Sequence, residues 1–400
     1  MKWIMEETAA LEEEIIRFRR WLHAHAEVGF DLQETRQFVR NELYRMGIEA
    51  NDCGKAGLLA TLGNPDRGKT ILLRADMDAL SIPEESGVDF ACSSGTMHAC
   101  GHDLHTAMLL GAAKLLKNHE KELKGCVKLM FQPAEEIFEG AKDMIAHGLF
   151  SDPKPDAAVM IHVTSAIPMP TGMVIVCPPG VSAPAADYFT ISVQGKGCHG
   201  STPQEGVDAL VAASHILIAL QEIHARELAT TDEAVLTIGT FQGGTAPNVI
   251  ADSATLAGTI RTYDEKTRVY LKDRMCAIST MIAQAYRATA NVSFGSGCPT
   301  LVNDKGLCGV LCESLIKTHG ASSVLNAADL GGTMRGGGSE DFAYISQQVP
   351  SVMLSLAAGR KEDGYTYPLH HPKVRFDESA LCSGTAAFVS CVYGFLEQDN

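Results

Sequence analysis

TILLRADMD, residues Thr70 to Asp78, reads as a short apolar run that leads directly into Asp76 and Asp78. A run of this length bounded by polar groups is the pattern of a strand buried on both faces. Two more runs follow it: VKLMF (Val127 to Phe131) ends in QPAEE, and AAVMIHV (Ala157 to Val163) carries His162 at its end. Between the first two lies AMLLGAAKLLK (Ala107 to Lys117), a strong helical pattern. Strands alternating with helices predict an α/β domain with a mostly parallel central sheet. Chemistry in such sheets sits beyond the carboxyl ends of the strands. Asp76, Asp78, Glu135, Glu136 and His162 all fall there.

Working away from these strands, MHACGHDLHT (Met97 to Thr106) concentrates metal-binding residue types: His98, Cys100, His102, Asp103 and His105. Its C-G-H core puts a thiolate and an imidazole two positions apart, close enough to share a metal centre. Toward the amino terminus, Leu11, Ile15, Phe18 and Leu22 repeat at helical spacing, which predicts one helix over Glu6 to Ala26 and a second over Gln33 to Met46. Toward the carboxyl terminus, the Pro-rich stretch Pro168 to Asp187 breaks the alternation and predicts a domain boundary. After it comes the order β-α-β-β-α-β: YFTISVQ, a helix from Asp208, AVLTIGTF, TLAGTIRTY, a helix from Glu265 to Ala288, and NVSFG. That is the ferredoxin-like order. The chain is therefore expected to divide into a larger α/β domain over 1–184 and 298–400, with an inserted α+β unit over 185–297. Beyond Gly297 the α/β pattern resumes, with a helix over Leu307 to Thr318, the strand SVMLSLAA and a closing helix over Phe376 to Glu397. The Gly-rich GGTMRGGGSEDF and the segment PLHHPKV lie between them.

Bulk composition narrows the function. Four hundred residues exceed what one core usually organises. With 33 basic against 48 acidic residues the net charge is −15, which argues against nucleic acid or an anionic membrane as partner. No run approaches the ~18 apolar residues of a membrane span. The 12 cysteines are scattered, and the opening segment is acidic and periodic, unlike a secretory leader. A cytoplasmic setting with mostly inert thiols is the expectation.

The groups that could carry chemistry are Cys100, His102, Glu135, Glu136, His162, and His370 or His371. Three imidazoles, a thiolate and a carboxylate can hold two divalent ions that activate a water. A thiolate suits a place between two cations, because its charge offsets their repulsion. The adjacent Glu135 and Glu136 suit divided labour, one toward metal and one as general base.

RADMDAL, HACGHDLHTAMLLGAA, FQPAEE, GKGCHGSTP, GGTAPNVIAD, GTIRTY, GSEDFAY and LHHP occur in that order along nearly the whole chain. Together they resemble the M20 metallopeptidase family, in its amidohydrolase branch of aminoacylase, hippurate hydrolase and auxin-conjugate hydrolase enzymes. The resemblance implies a bimetal catalytic domain and an inserted lid that often also serves in dimerisation. Carried over residue by residue, it makes Cys100, His102, Glu136, His162 and His370 the metal ligands, His370 being preferred because Leu369-His370-His371-Pro372 fits Leu-His-x-Pro. It makes Glu135 the general base and later proton donor, with Asp78 orienting a ligand. In the lid it puts His199 at the scissile carbonyl, and Asn248 and Arg261 at the substrate carboxylate. His98, Asp103 and His105 become residues that support the ligands or serve structure.

The implied reaction is metal-dependent hydrolysis of N-acyl or N-aroyl amino acids, with two divalent ions per subunit drawn from Zn, Mn, Co or Ni. A homodimer or homotetramer acting on a small molecule is implied as well. A dipeptidase or aminopeptidase on the same fold, and a non-catalytic binding protein, are the rival readings. Leu104 stands where the family mostly has Gly, Gln204 where a His is common, and Cys198 directly precedes His199. Leu104 and Gln204 are expected to reshape the pocket.

Overall fold

The structure is a computed structural model that describes residues 1–330 and 338–398. Residues 331–337, most of the Gly-rich stretch noted above, and 399–400 lie outside it. The chain forms two compact units, one built from Met1–Ser182 with most of the chain after Leu301, the other spanning Ala183–Thr300.

The first unit is organised on an eight-stranded sheet. Its strands run in the spatial order Ala50–Cys53, Gly57–Gly63, Cys126–Gln132, Thr70–Asp76, Ala157–Thr164, Ser351–Ala357, Val174–Val176, Val324–Asn326. The four central strands are mutually parallel, and the first two strands are antiparallel additions at one edge. All seven residues of Thr70–Asp76 and of Cys126–Gln132 are buried, as expected of strands covered on both faces. Asp76 pairs with Gln132, and His162 with Ser355, so the carboxyl ends of the four central strands lie along one edge of the sheet. The helix His102–Asn118 packs on this sheet, and the closing helix Ala380–Leu396 packs on both.

The second unit has a four-stranded antiparallel sheet in the order Ala234–Gly243, Ser253–Thr262, Ala185–Gln194, Thr289–Cys298. The helices Ala209–Glu222 and Glu265–Ala285 cover it with a core of its own around Ile191, Ile216, Leu256 and Leu271. This is the ferredoxin-like arrangement. No helix among the described residues is long and apolar enough to cross a membrane.

Three local expectations are corrected. The helix expected over Glu6 to Ala26 is two helices, Lys2–Ala10 and Glu12–Ala24. At the break, buried Thr8 turns its hydroxyl back to the Ile4 carbonyl (2.6 Å) and Leu11 N–H bonds to Thr8 O in a tightened last turn. The closing helix begins at Ala380, four residues later than expected, because the Asp377 carboxylate accepts from Ser379 N and Oγ and holds a turn before it. The Pro-rich stretch contains the buried strand Val174–Val176, which is too short to stand out between prolines.

Candidate metal centre and active site

Each group at the carboxyl edge of the sheet is set by the turn that carries it. Asp76 ends its strand and accepts the Nδ1–H of His105 (2.6 Å), while His105 Nε2 accepts from Val163 N–H (2.9 Å). Both His105 nitrogens are thus spent on joining two strands to the first turn of the helix His102–Asn118. Gly101 precedes that helix with φ +86°, a left-handed conformation that costs glycine little. A Cβ there would lie 2.3 Å from Val163 Cγ2 and 3.1 Å from Phe376. The C-G-H spacing is therefore imposed by close packing as well as by chemistry.

Asp78 acts through backbone. Its carboxylate accepts from Glu135 N–H (3.0 Å) and Glu136 N–H (3.2 Å), and its carbonyl accepts His102 Nδ1–H (2.7 Å). Ala134 (φ 55°) and Phe138 (φ 55°) bracket the Glu135–Glu136–Ile137 segment, and His370 itself has φ 64°. Three of the five left-handed non-glycine residues described thus border or form this site, the distribution expected where backbone strain is kept for function.

Six of the residues singled out from sequence meet here. Cys100 Sγ lies 3.3 Å from His370 Nε2 and 3.6 Å from His162 Nε2. Glu136 Oε1 is 3.5 Å from His370 Nε2 and 3.9 Å from His102 Nε2, and Glu135 Oε2 is 4.0 Å from His102 Nε2. Among the described residues five triads of possible ligands have donor atoms within 4.8 Å of one another, and two of them share Cys100: Cys100–His102–His162 and Cys100–Glu136–His370. His102 and His162 each donate Nδ1–H to a carbonyl, of Asp78 and of Val163 (2.7 Å each), which leaves Nε2 of both rings as a lone-pair donor facing the cluster. His102 Nε2 and Glu136 Oε1 are buried and meet no hydrogen-bond partner among the described residues. Two orphaned buried donors aimed at one point, beside a thiol and two further imidazoles, fit divalent cations.

The electrostatics agree. Burial pushes the Cys100 thiol up to about 12 and Glu136 up to about 7. Burial, with Glu340 and Glu136 close by, also holds the Glu135 carboxyl well above the usual range. Burial alone would lower His102, but Asp76, Asp78 and Cys100 together outweigh it and favour positive charge on the ring. A cation can take the place of that proton.

Beneath the cluster lies a buried network around Arg74. Its Nε donates to Gln132 Oε1 (2.9 Å), Nη1 to Asp76 Oδ2 (2.7 Å), and Nη2 to Glu340 Oε1 (2.8 Å) and Asp341 Oδ1 (3.1 Å). Asp341 also accepts from Gln132 Nε2 (2.6 Å) and Ala141 N–H (2.9 Å), tying the loop after the 126–132 strand in place. No role for Arg74, Gln132, Glu340 or Asp341 was read from sequence. The available signal was a charged residue inside an otherwise apolar strand run, which needs buried counter-charges. Asp103 accepts from Arg19 Nε and His23 Nδ1 (2.8 Å each), a structural tie.

His199, Asn248 and Arg261 belong to the second unit. A two-residue ladder pairs His199 with Val249, and Gly200 N–H donates to Asn248 O (2.8 Å), so His199 and Asn248 are neighbours. His199 Nδ1 accepts from Ser201 N–H (3.1 Å) and faces Ser201 Oγ (2.8 Å), which puts the ring proton on exposed Nε2. Arg261 lies over the Tyr188 ring (5.6 Å) and, among the described residues, meets no carboxylate at ion-pair distance. Leu104 is fully buried in the core, whereas Gln204 is exposed.

Residues 72–393 match the model of peptidase family M20/M25/M40. The chain is 36% identical over 375 residues to an N-acetyl-L-cysteine deacetylase of Bacillus subtilis, covering 93% of this chain and 86% of that one. It is 33% identical over 417 residues to the IAA-amino acid hydrolase ILR1-like 2 of Arabidopsis thaliana, covering 99% and 91%. In structure it is similar to a dinuclear metal binding M20-family peptidase of Bacillus subtilis, with TM-score 0.78, 32% identity, and 98% and 100% of the two chains covered.

Proposed function

The chain belongs to peptidase family M20/M25/M40 and is a hydrolase acting on amide bonds, and from that premise we propose that it cleaves N-acyl or N-aroyl amino acids to a carboxylate and a free amino acid. The observation that carries this reading is the pair of triads sharing Cys100. Cys100, His102 and His162 would hold one divalent ion, and Cys100, Glu136 and His370 a second. Ions bound there supply polarisation of the amide carbonyl and a lowered pKa for water. Thiolate with imidazoles favours zinc, and Mn, Co or Ni suit the same donors.

Glu135 is the general base. Its carboxyl is buried beside both triads, and its raised pKa suits both taking a proton from water and returning it to the departing amine nitrogen. Asp78 keeps Glu135 and Glu136 in register through their amides. His199, with its proton on Nε2, donates to the oxyanion that forms on the carbonyl. Arg261 and Asn248 receive the substrate's carboxylate, the task a guanidinium fork performs best. The second unit also holds nine of the thirteen large apolar side chains that are markedly exposed among the described residues, among them Ile218 (64%) and Met281 (67%) on its two helices. That surface supports self-association through this unit.

Glu135→Gln should keep its metal content and lose about 10²–10⁴-fold in kcat. A Gln variant within tenfold of the parent would remove Glu135 from the mechanism. Release of free amino acid from acetyl, benzoyl and long-chain acyl amino acids by the metal-loaded enzyme checks the reaction itself. Activity confined to free dipeptides would replace it with a dipeptidase.

A further inference from the structure

We propose that Asp341 is a positioning residue that fixes the general base and one of the two ion sites together, an inference that rests on the two-ion reading above and deepens it. Glu135 and Glu136 ride on one short loop, Pro133 to Glu139, between the strand Cys126–Gln132 and the helix Gly140–Ala146. The loop folds back on itself. Glu139 and Gly140 both donate N–H to Ala134 O (3.2 Å each), and Phe138 N–H donates to Glu135 O (2.8 Å). A Cβ on Gly140 would fall 1.6 Å from Pro133 O, so the two ends of the loop lie side by side.

Asp341 grips both of those ends. Its Oδ1 accepts from Gln132 Nε2 (2.6 Å), just before the loop, and its Oδ2 from Ala141 N–H (2.9 Å), just beyond it. Arg74 Nη2 donates to the same Oδ1 (3.1 Å) and Arg74 Nε to Gln132 Oε1 (2.9 Å), so carboxylate and amide are both fixed from the strand Thr70–Asp76. Arg74, Gln132 and Asp341 are all buried. Asp78 reaches the middle of the loop through the Glu135 and Glu136 amides. The two acids are thus held from the middle and from both ends, and one carboxylate holds both ends. A residue that fixes a ligand's backbone governs metal affinity without touching the metal. The triad Cys100–Glu136–His370 draws on this loop, whereas Cys100–His102–His162 does not. Releasing one end should therefore weaken one ion and spare the other.

The test is calorimetric titration of the apoprotein with Co(II), read beside kcat. Asp341→Asn keeps the side-chain volume but leaves one oxygen, so either Gln132 or Ala141 meets an N–H where it had an acceptor. The parent should bind two ions. In the variant one binding step should weaken about 10–100-fold and kcat fall by a similar factor, with the other step unchanged. Adding Gln132→Glu in that background restores an acceptor opposite the new N–H and should recover much of the loss, which a merely structural defect does not predict. Gln132→Met releases only the leading end and should give the same selective weakening, which keeps the test open if Asp341→Asn does not fold. Both steps weakened alike, neither weakened, or no recovery in the double variant overturns the role of Asp341 and leaves the two-ion site standing. A parent that binds fewer than two ions overturns that reading, and this inference with it.

Discussion

Gly101 shows how closely packing and chemistry are joined at the centre. An alanine there must adopt φ +86° and place its Cβ within 2.3 Å of Val163, on the strand that carries His162. Left-handed backbone and overpacking each cost a non-glycine residue about 1–3 kcal/mol. Gly101→Ala should therefore destabilise the fold by roughly 2–4 kcal/mol and reduce metal content, measured by denaturant unfolding and metal analysis. Normal stability and full loading would show that the chain adjusts around this point. At this scale the residue types of the site were legible, because thiols, imidazoles and carboxylates at strand ends are chemically conspicuous. Their division of labour was not. His105 resembles a ligand in sequence as much as His102 does, and only the Val163 amide on its Nε2 and Asp76 on its Nδ1 show that its nitrogens are occupied.

Between elements, His23 fastens the helix Glu12–Ala24 to the body of its unit. Its Nδ1 donates to Asp103 (2.8 Å) on the helix His102–Asn118, and its Nε2 to Glu84 (2.9 Å). Burial alone would lower its pKa, but Asp103 and Glu84 outweigh it and raise the imidazole to about 9 from 6.5. A raised folded-state value means the stabilisation is complete below pH 6.5 and is lost as pH climbs through 9. Between about pH 7 and 9.5 the parent should lose roughly 2 kcal/mol more stability than His23→Gln, read from urea midpoints. Parallel curves would remove His23 from the account. The long amphipathic helices and the alternating buried strands were readable from periodicity alone. The edge strand Ala50–Cys53 was not, since it has only four residues and carries Asn and Asp, nor was its neighbour Gly57–Gly63. The break at Leu11 escaped too, because a Thr8 hydroxyl bonding back one turn leaves the apolar spacing intact.

For the whole molecule, the order β-α-β-β-α-β was legible because each piece is long and locally complete, so the second unit's topology follows from pattern. The proposed self-association places a demand on that unit's helices. Sedimentation should find the parent as a dimer or tetramer, and Ile218→Glu with Met281→Glu should shift it toward monomers. A monomeric parent at micromolar concentration would remove the association. The division of the chain into units also has a consequence for its synthesis. Nearly all of the second unit is one stretch, Ala183–Thr300, while the first is closed only by segments that follow it, including the central strand Ser351–Ala357 and His370. On the ribosome the inserted unit can therefore finish folding first. The half-built sheet must wait with its inner edge unpaired, and the centre around Cys100 gains its last donor only when the later segment emerges.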